Sequence, residues 1–140
     1  MRENFSIGEL GQRTGCQVVT IRYYEKIGML PEPERSRGGH RKYSAMHFDR
    51  LTFIRKAREL GFTLDTVRSL LSLSERPEGD SCEGVDRIAA RHLAEVRDKI
   101  AALKSIETTL VGLLDVCGHT TVEGCRILDV LRDEPLQRCR

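Results

Sequence analysis

Apolar residues recur at helical spacing along most of this chain, and polar turn signals separate the runs. Ser6-Ile7-Gly8-Glu9 has the form of a capping box, in which a Ser hydroxyl and a Glu carboxylate satisfy free backbone N–H groups. A short helix follows and ends at Thr14-Gly15. Val18, Ile21 and Tyr24 share one face of a second predicted helix over 18–26, stopped by Gly28 and Pro31. Two helices joined by a tight Gly turn have helix-turn-helix form. The segment 32–41 is rich in Pro, Gly and Arg, with Gly38-Gly39 suited to a hairpin tip. Ser44 caps a predicted helix over 44–60, whose stripe runs Phe48, Leu51, Ile54, Ala57 and Arg58/Leu60. Gly61 ends it, and Thr63 caps another through Leu73.

The stretch 74–79, with Glu, Arg, Pro and Gly, is the best boundary in the chain. Beyond it, 83–116 contains no Pro and only Gly84 and Gly112. Ala89, Val96, Leu103, Leu110 and Cys117 fall seven apart, with Leu93, Ile100, Ile106, Leu113 and Leu114 between them. One long helix with a broad apolar stripe is predicted, about 50 Å in length. Nothing else in the C-terminal part is large enough to cover it. The simplest partner is the same helix from a second copy, so a homodimer is expected.

Charge sharpens the division. The net charge is +2, but residues 1–73 carry +5 and residues 74–140 carry −3; within 13–58 the excess reaches +7. A basic head beside a mildly acidic tail suits a polyanion-binding part and a part with another task. Aromatics make up 5% of the chain, with no Trp, which weakens any case for base stacking. No run approaches the 18 apolar residues of a membrane span. The N-terminus has no apolar core of a signal peptide, so a cytoplasmic location is expected and no membrane partner. Five cysteines in such a compartment point to metal binding or redox chemistry rather than to structural disulfides.

With Ile21 and Tyr24 facing inward, Thr20, Arg22 and Tyr23 point outward on the second helix, as a recognition helix for double-stranded DNA requires. Arg35, Arg37, Arg41 and Lys42 flank the glycine tip, followed by Tyr43. A basic hairpin beside a helix-turn-helix is a wing that grips the DNA backbone. These eight residues are the predicted DNA contacts.

Residues 6–73 resemble the MerR family of bacterial transcription regulators. The resemblance rests on IGEL at 7–10, TIRYYEKIGML at 20–30, the R-x-R-G-G-x-R-x-Y pattern at 35–43, and RLTFIRKARELGFTLDTVRSLL at 50–71. It extends to about Leu131. It implies a mainly α protein: a winged helix-turn-helix domain over 1–75, a dimerisation helix over 80–117 in an antiparallel coiled coil, and a metal-binding loop with a short helix over 117–132. A flexible tail, 133–140, would follow. It also implies that a homodimer binds a palindromic promoter operator and, with effector bound, distorts the DNA for RNA polymerase.

Cys82 opens the long helix, Cys117 ends it, and Cys125 follows a seven-residue loop. Cys82 and Cys117 are about 50 Å apart along one straight helix, too far to share a metal within one chain. In an antiparallel pair, Cys82 of one subunit would meet Cys117 and Cys125 of the other, and the resemblance implies the same. Three thiolates form a soft site for a divalent effector, Cd(II), Pb(II) or Zn(II). The alternative for Cys82 and Cys117 is two buried small hydrophobes. Copper(I)-type relatives usually have Ser where this chain has Cys82, and zinc-type loops begin with a Cys-Cys pair where this one has Cys117-Gly118. His119 is a candidate fourth ligand, completing a Cys3His set. His40 and His92 are read as structural or DNA-proximal. Cys16 and Cys139 stand away from the site.

Two other regulators stay open: a mercury-responsive member of the same family, and a thiol-redox switch using Cys117 and Cys125. An iron–sulfur sensor would need four clustered cysteines. No nucleophile–base pair, phosphate loop or pair of acids at useful spacing supports an enzyme.

Overall fold

A computed structural model describes residues 4–115 and 121–132. The chain is mainly α-helical and divides into two compact units, Met1–Ile88 and Ala89–Arg140. In the first unit come strand β1 (Asn4–Phe5), helices α1 (Ile7–Thr14) and α2 (Val18–Lys26), strands β2 (Glu34–Arg35) and β3 (Arg41–Ser44), then α3 (Ala45–Glu59) and α4 (Leu64–Ser74). Helix α5 (Glu83–Asp115) crosses the division. A 3-10 turn (Val122–Gly124) and helix α6 (Arg126–Arg132) follow. Among the described residues no helix is long and apolar enough to cross a membrane.

The helix ends follow local chemistry. The Glu9 amide donates to Ser6 Oγ at 3.1 Å, and the Thr66 amide to Thr63 Oγ1 at 3.2 Å. Both are the N-caps the sequence predicts. Gly11 allows the close approach of α1 to the turn before α2: a Cβ there would lie 2.7 Å from the Cys16 carbonyl oxygen. Gly39, at φ 80°, turns the wing between β2 and β3 in the left-handed region.

The three strands form an antiparallel sheet in the order β1-β3-β2, with Phe5 opposite Tyr43 and Arg35 opposite Arg41. Strand β1 is too short to show a period of two, so hydropathy did not reveal it. Against the sheet and helices lies one core: Leu10, Ile21, Met29, Leu30, Tyr43, Leu51, Ile54 and Val67 are its largest fully buried side chains. The predicted stripe of α3 holds through Leu51, Ile54 and Ala57. Leu60 leaves it, 68% exposed, because the helix has ended at Glu59.

The first compact unit runs past the Pro- and Gly-containing stretch to Ile88, into α5. Gly84 explains part of this: a Cβ there would stand 3.3 Å from Leu73 Cδ2, so the start of α5 lies against the end of α4. In contrast, α5 as a whole buries no residue.

Candidate nucleic-acid interface and metal ligands

Helix α2 has two sharply different faces. Ile21 and Tyr24 are buried. Val19, Arg22, Tyr23 and Lys26 are all exposed, at the i, i+3, i+4, i+7 spacing that defines one face. Thr20 is half-buried beside them. Arg22 and Tyr23 therefore project where the sequence places them, and Val19 joins them as a residue the sequence analysis missed. As an apolar side chain it carried no signal of polar contact.

Each basic residue of the wing has its own role. Arg37 at the tip and Lys42 on β3 are exposed. The Arg35 guanidinium donates to the Gly39 carbonyl at 2.8 Å, bracing the tip from within. Arg41 is half-buried, its Nε 3.8 Å from Glu25 Oε1 on α2. Tyr43 departs from the expectation of a DNA contact. It is fully buried, and its hydroxyl donates to Glu25 Oε2 at 3.2 Å. Alternation along β3 turns Lys42 outward and Tyr43 into the core. Burial, and then the nearby Glu25 carboxylate, push the Tyr43 hydroxyl up to about 12, so it stays protonated and donates.

Several cations of the basic stretch hold the fold. Arg50 Nε donates to the Met29 carbonyl at 2.6 Å, and its guanidinium also pairs with Glu75. Arg55 donates to the Thr14 carbonyl at 2.6 Å, and Arg58 to that of Phe62 at 2.8 Å. Their charge still adds to the positive field, but each commits a donor to a backbone carbonyl. His47, also unanticipated, is buried at the junction of wing and α3. Its Nδ1 accepts from the Ser44 amide at 3.1 Å, and its Nε2 lies 3.0 Å from the Pro31 carbonyl. This pairing requires the proton on Nε2.

Of the expected metal ligands, Cys82 and Cys125 are described. Both are free thiols. Cys82 is exposed at the start of α5, where its carbonyl accepts from the Asp86 amide at 3.0 Å. Its thiol donates to Asp86 Oδ2 at 3.9 Å. Cys125 is half-buried immediately before α6, its carbonyl accepting from the Asp129 amide at 3.0 Å. Among the described residues of one chain, no three metal-ligating side chains gather. Cys117, His119, Cys139 and the tail 133–140 lie outside the described residues. Cys16, half-buried between α1 and α2, is free and stands in the DNA-binding unit. Free, accessible thiols are the donor chemistry a soft divalent ion needs.

A helix-turn-helix with an exposed cationic recognition face and a basic three-stranded wing defines a winged helix-turn-helix DNA-binding protein. The model for the MerR helix-turn-helix regulatory proteins matches residues 5–74, and that for the MerR DNA-binding region matches residues 48–113. The chain belongs to the MerR family of transcription regulators. It is 39% identical over 128 residues to the mercuric resistance operon regulatory protein of Bacillus cereus, covering 91% of this chain and 96% of that one. It is 41% identical over 130 residues to the transcriptional regulator ZntR of Escherichia coli, covering 91% and 92%. The crystal structure of the regulator PbrR691 from Ralstonia metallidurans, in complex with lead(II), superposes with a TM-score of 0.78. That pair is 43% identical, covering 91% of this chain and 98% of that one.

Proposed function

We propose that this chain is a metal-responsive activator. It binds a palindromic promoter operator as a homodimer and, on taking up a soft divalent ion, distorts the DNA so that RNA polymerase can use the promoter of metal-resistance genes. The observation that carries the proposal is the pairing of an exposed recognition face on α2 with free thiols at Cys82 and Cys125, in a chain similar to a mercuric resistance regulator and to a regulator solved in complex with lead(II).

Helix α5 supports the homodimer. Leu93, Ile100, Leu103, Ile106, Leu110 and Leu114 are each 46–65% exposed in the single chain. A stripe of that length is an interface in want of a partner. A second copy of the same helix, antiparallel, matches it along its length. The same arrangement brings Cys82 of one subunit toward Cys117 and Cys125 of the other, with His119 as the candidate fourth ligand. When bound, the ion would link the two subunits through thiolates and so bias the dimer toward the DNA-distorting state. Three thiolates carry more negative charge than a monovalent ion neutralises, which favours Cd(II), Pb(II) or Zn(II) over Cu(I). Similarity to the Bacillus cereus protein supports Hg(II) as the second reading.

Titration of the purified dimer with each ion, followed by ultraviolet thiolate-to-metal absorption and by proton release, tests the site. One ion per site and two sites per dimer are expected, with binding weakening as pH falls because thiolates must be deprotonated. A dimer that takes up no divalent ion, yet forms a Cys117–Cys125 disulfide under oxidant, would overturn the proposal.

A further inference from the structure

The recognition face of α2 contains one side chain that ordinary phosphate binding does not explain. Val19 is 73% exposed, on the same stripe as Arg22, Tyr23 and Lys26. Its neighbour Val18 is half-buried, with Cγ2 3.8 Å from where a Cβ on Gly11 would stand. Two successive valines therefore have opposite fates: one packs α2 against α1, and the other faces solvent. Val19 adds nothing to the core. It cannot hydrogen-bond a phosphate or a base edge, and Val is a poorer helix former than Ala. Its exposure on this stripe puts it where the face meets DNA.

We infer that Val19 is a specificity-determining residue that packs against the C5-methyl group of a thymine in the major groove. The inference rests on DNA binding through α2. Val19 is the second residue of that helix, and the N-terminal residues of a recognition helix are those that reach base edges. In the major groove, thymine is the base that offers an apolar methyl, which small apolar side chains contact. A β-branched side chain suits this task because its χ1 is nearly fixed by the helix, so its methyls are held in place before binding. Beside it, Arg22 and Tyr23 supply polar contacts and Lys26 supplies charge. Val19 thus adds a test for thymine to a face that otherwise reads hydrogen bonds and phosphates.

The full-length dimer and a duplex selected by it from random-sequence DNA test the inference. Each thymine of the duplex is replaced in turn by uracil, which removes the methyl and leaves the pairing and the hydrogen-bonding pattern unchanged. Uracil at the contacted position of one half-site should weaken the native protein about fourfold, the worth of one buried methyl. Replacing both symmetric positions should weaken it about fifteenfold. Val19→Ala should bind the thymine duplex with a comparable loss and no longer distinguish uracil from thymine. Val19→Ile should keep the distinction. Because Val19 is exposed, both variants should melt with the native protein. A native protein indifferent to every uracil replacement overturns the inference, and so does a Val19→Ala protein that keeps the full uracil penalty. In both results DNA binding itself would stand. Failure of the native dimer to select any duplex would instead bring down DNA binding through α2, and the thymine contact with it.

Discussion

The Tyr43 hydroxyl donates to Glu25 Oε2 at 3.2 Å, joining the wing to the helix that carries the recognition face. Arg41 approaches the other oxygen of the same carboxylate at 3.8 Å. One glutamate on α2 thereby receives two side chains from β3 and ties the wing to the recognition helix. Tyr43→Phe should lower stability by about 1 kcal/mol, the usual net worth of such a hydrogen bond, and weaken operator binding without altering any DNA-facing side chain. Urea denaturation and gel shifts would measure the two effects. The pH dependence has a definite sign. Tyr43 rises from 10.0 to about 12 in the folded protein, so its contribution is fully present below about pH 10 and is lost as pH climbs through about 12. The stability gap between native and Tyr43→Phe proteins should therefore narrow across that range; a gap that widens would contradict the assignment.

Arg22 is exposed on α2. Arg22→Ala should weaken operator binding strongly while leaving the melting temperature unchanged. In the wing, Arg37→Ala and Lys42→Ala should each reduce the slope of log K against log salt by about 1.8, since each removes one phosphate contact per subunit of the dimer. Unchanged slopes would remove the wing from the phosphate contacts.

His47 joins the Ser44 amide and the Pro31 carbonyl through its two ring nitrogens. Nitrogen-15 spectra of the neutral ring should show the tautomer with the proton on Nε2 and none on Nδ1. His47→Ala should destabilise the head by about 2 kcal/mol, since it leaves two backbone groups without their partner in a buried place. A variant as stable as the native protein would show that water replaces the ring.

Leu103 is 65% exposed in the single chain, midway along α5. If the stripe is the dimer interface, Leu103→Asp buries a charge there at a cost of several kcal/mol, on the order expected for an unpaired polar group in an apolar setting. Sedimentation should find monomers, or the protein should become insoluble. A native protein that is monomeric at micromolar concentration would remove the shared metal site together with the dimer.

The metal site makes a sharp prediction in mixed dimers. With Cys82→Ser in one chain and Cys117→Ser plus Cys125→Ser in the other, one complete site survives if Cys82 acts across the dimer, and none if it acts within its own chain. Metal stoichiometry distinguishes the two. In the ordinary homodimer, each single Cys→Ser change should abolish induction and spare DNA binding. If Cys82→Ser still responds to a divalent ion, His119→Ala on that background should then silence it.

The sequence by itself determined the helices of the head, the glycine wing tip and the long apolar stripe. These depend on interactions between near neighbours, such as Ser6 with the Glu9 amide and Thr63 with the Thr66 amide, and on periodicity that composition cannot hide. It also placed Arg22 and Tyr23 outward, because Ile21 and Tyr24 identify the buried face. Only the tertiary structure decided the roles of Tyr43, His47, Arg50 and Arg55. Their partners lie 16 to 41 residues away, and no local pattern distinguishes a basic or aromatic side chain aimed at DNA from one aimed at a distant carbonyl or carboxylate. Val19 shows the converse. Helical spacing already set Val18 on the buried face with Ile21 and Tyr24, but only the structure shows Val19 exposed on one stripe with Arg22, Tyr23 and Lys26.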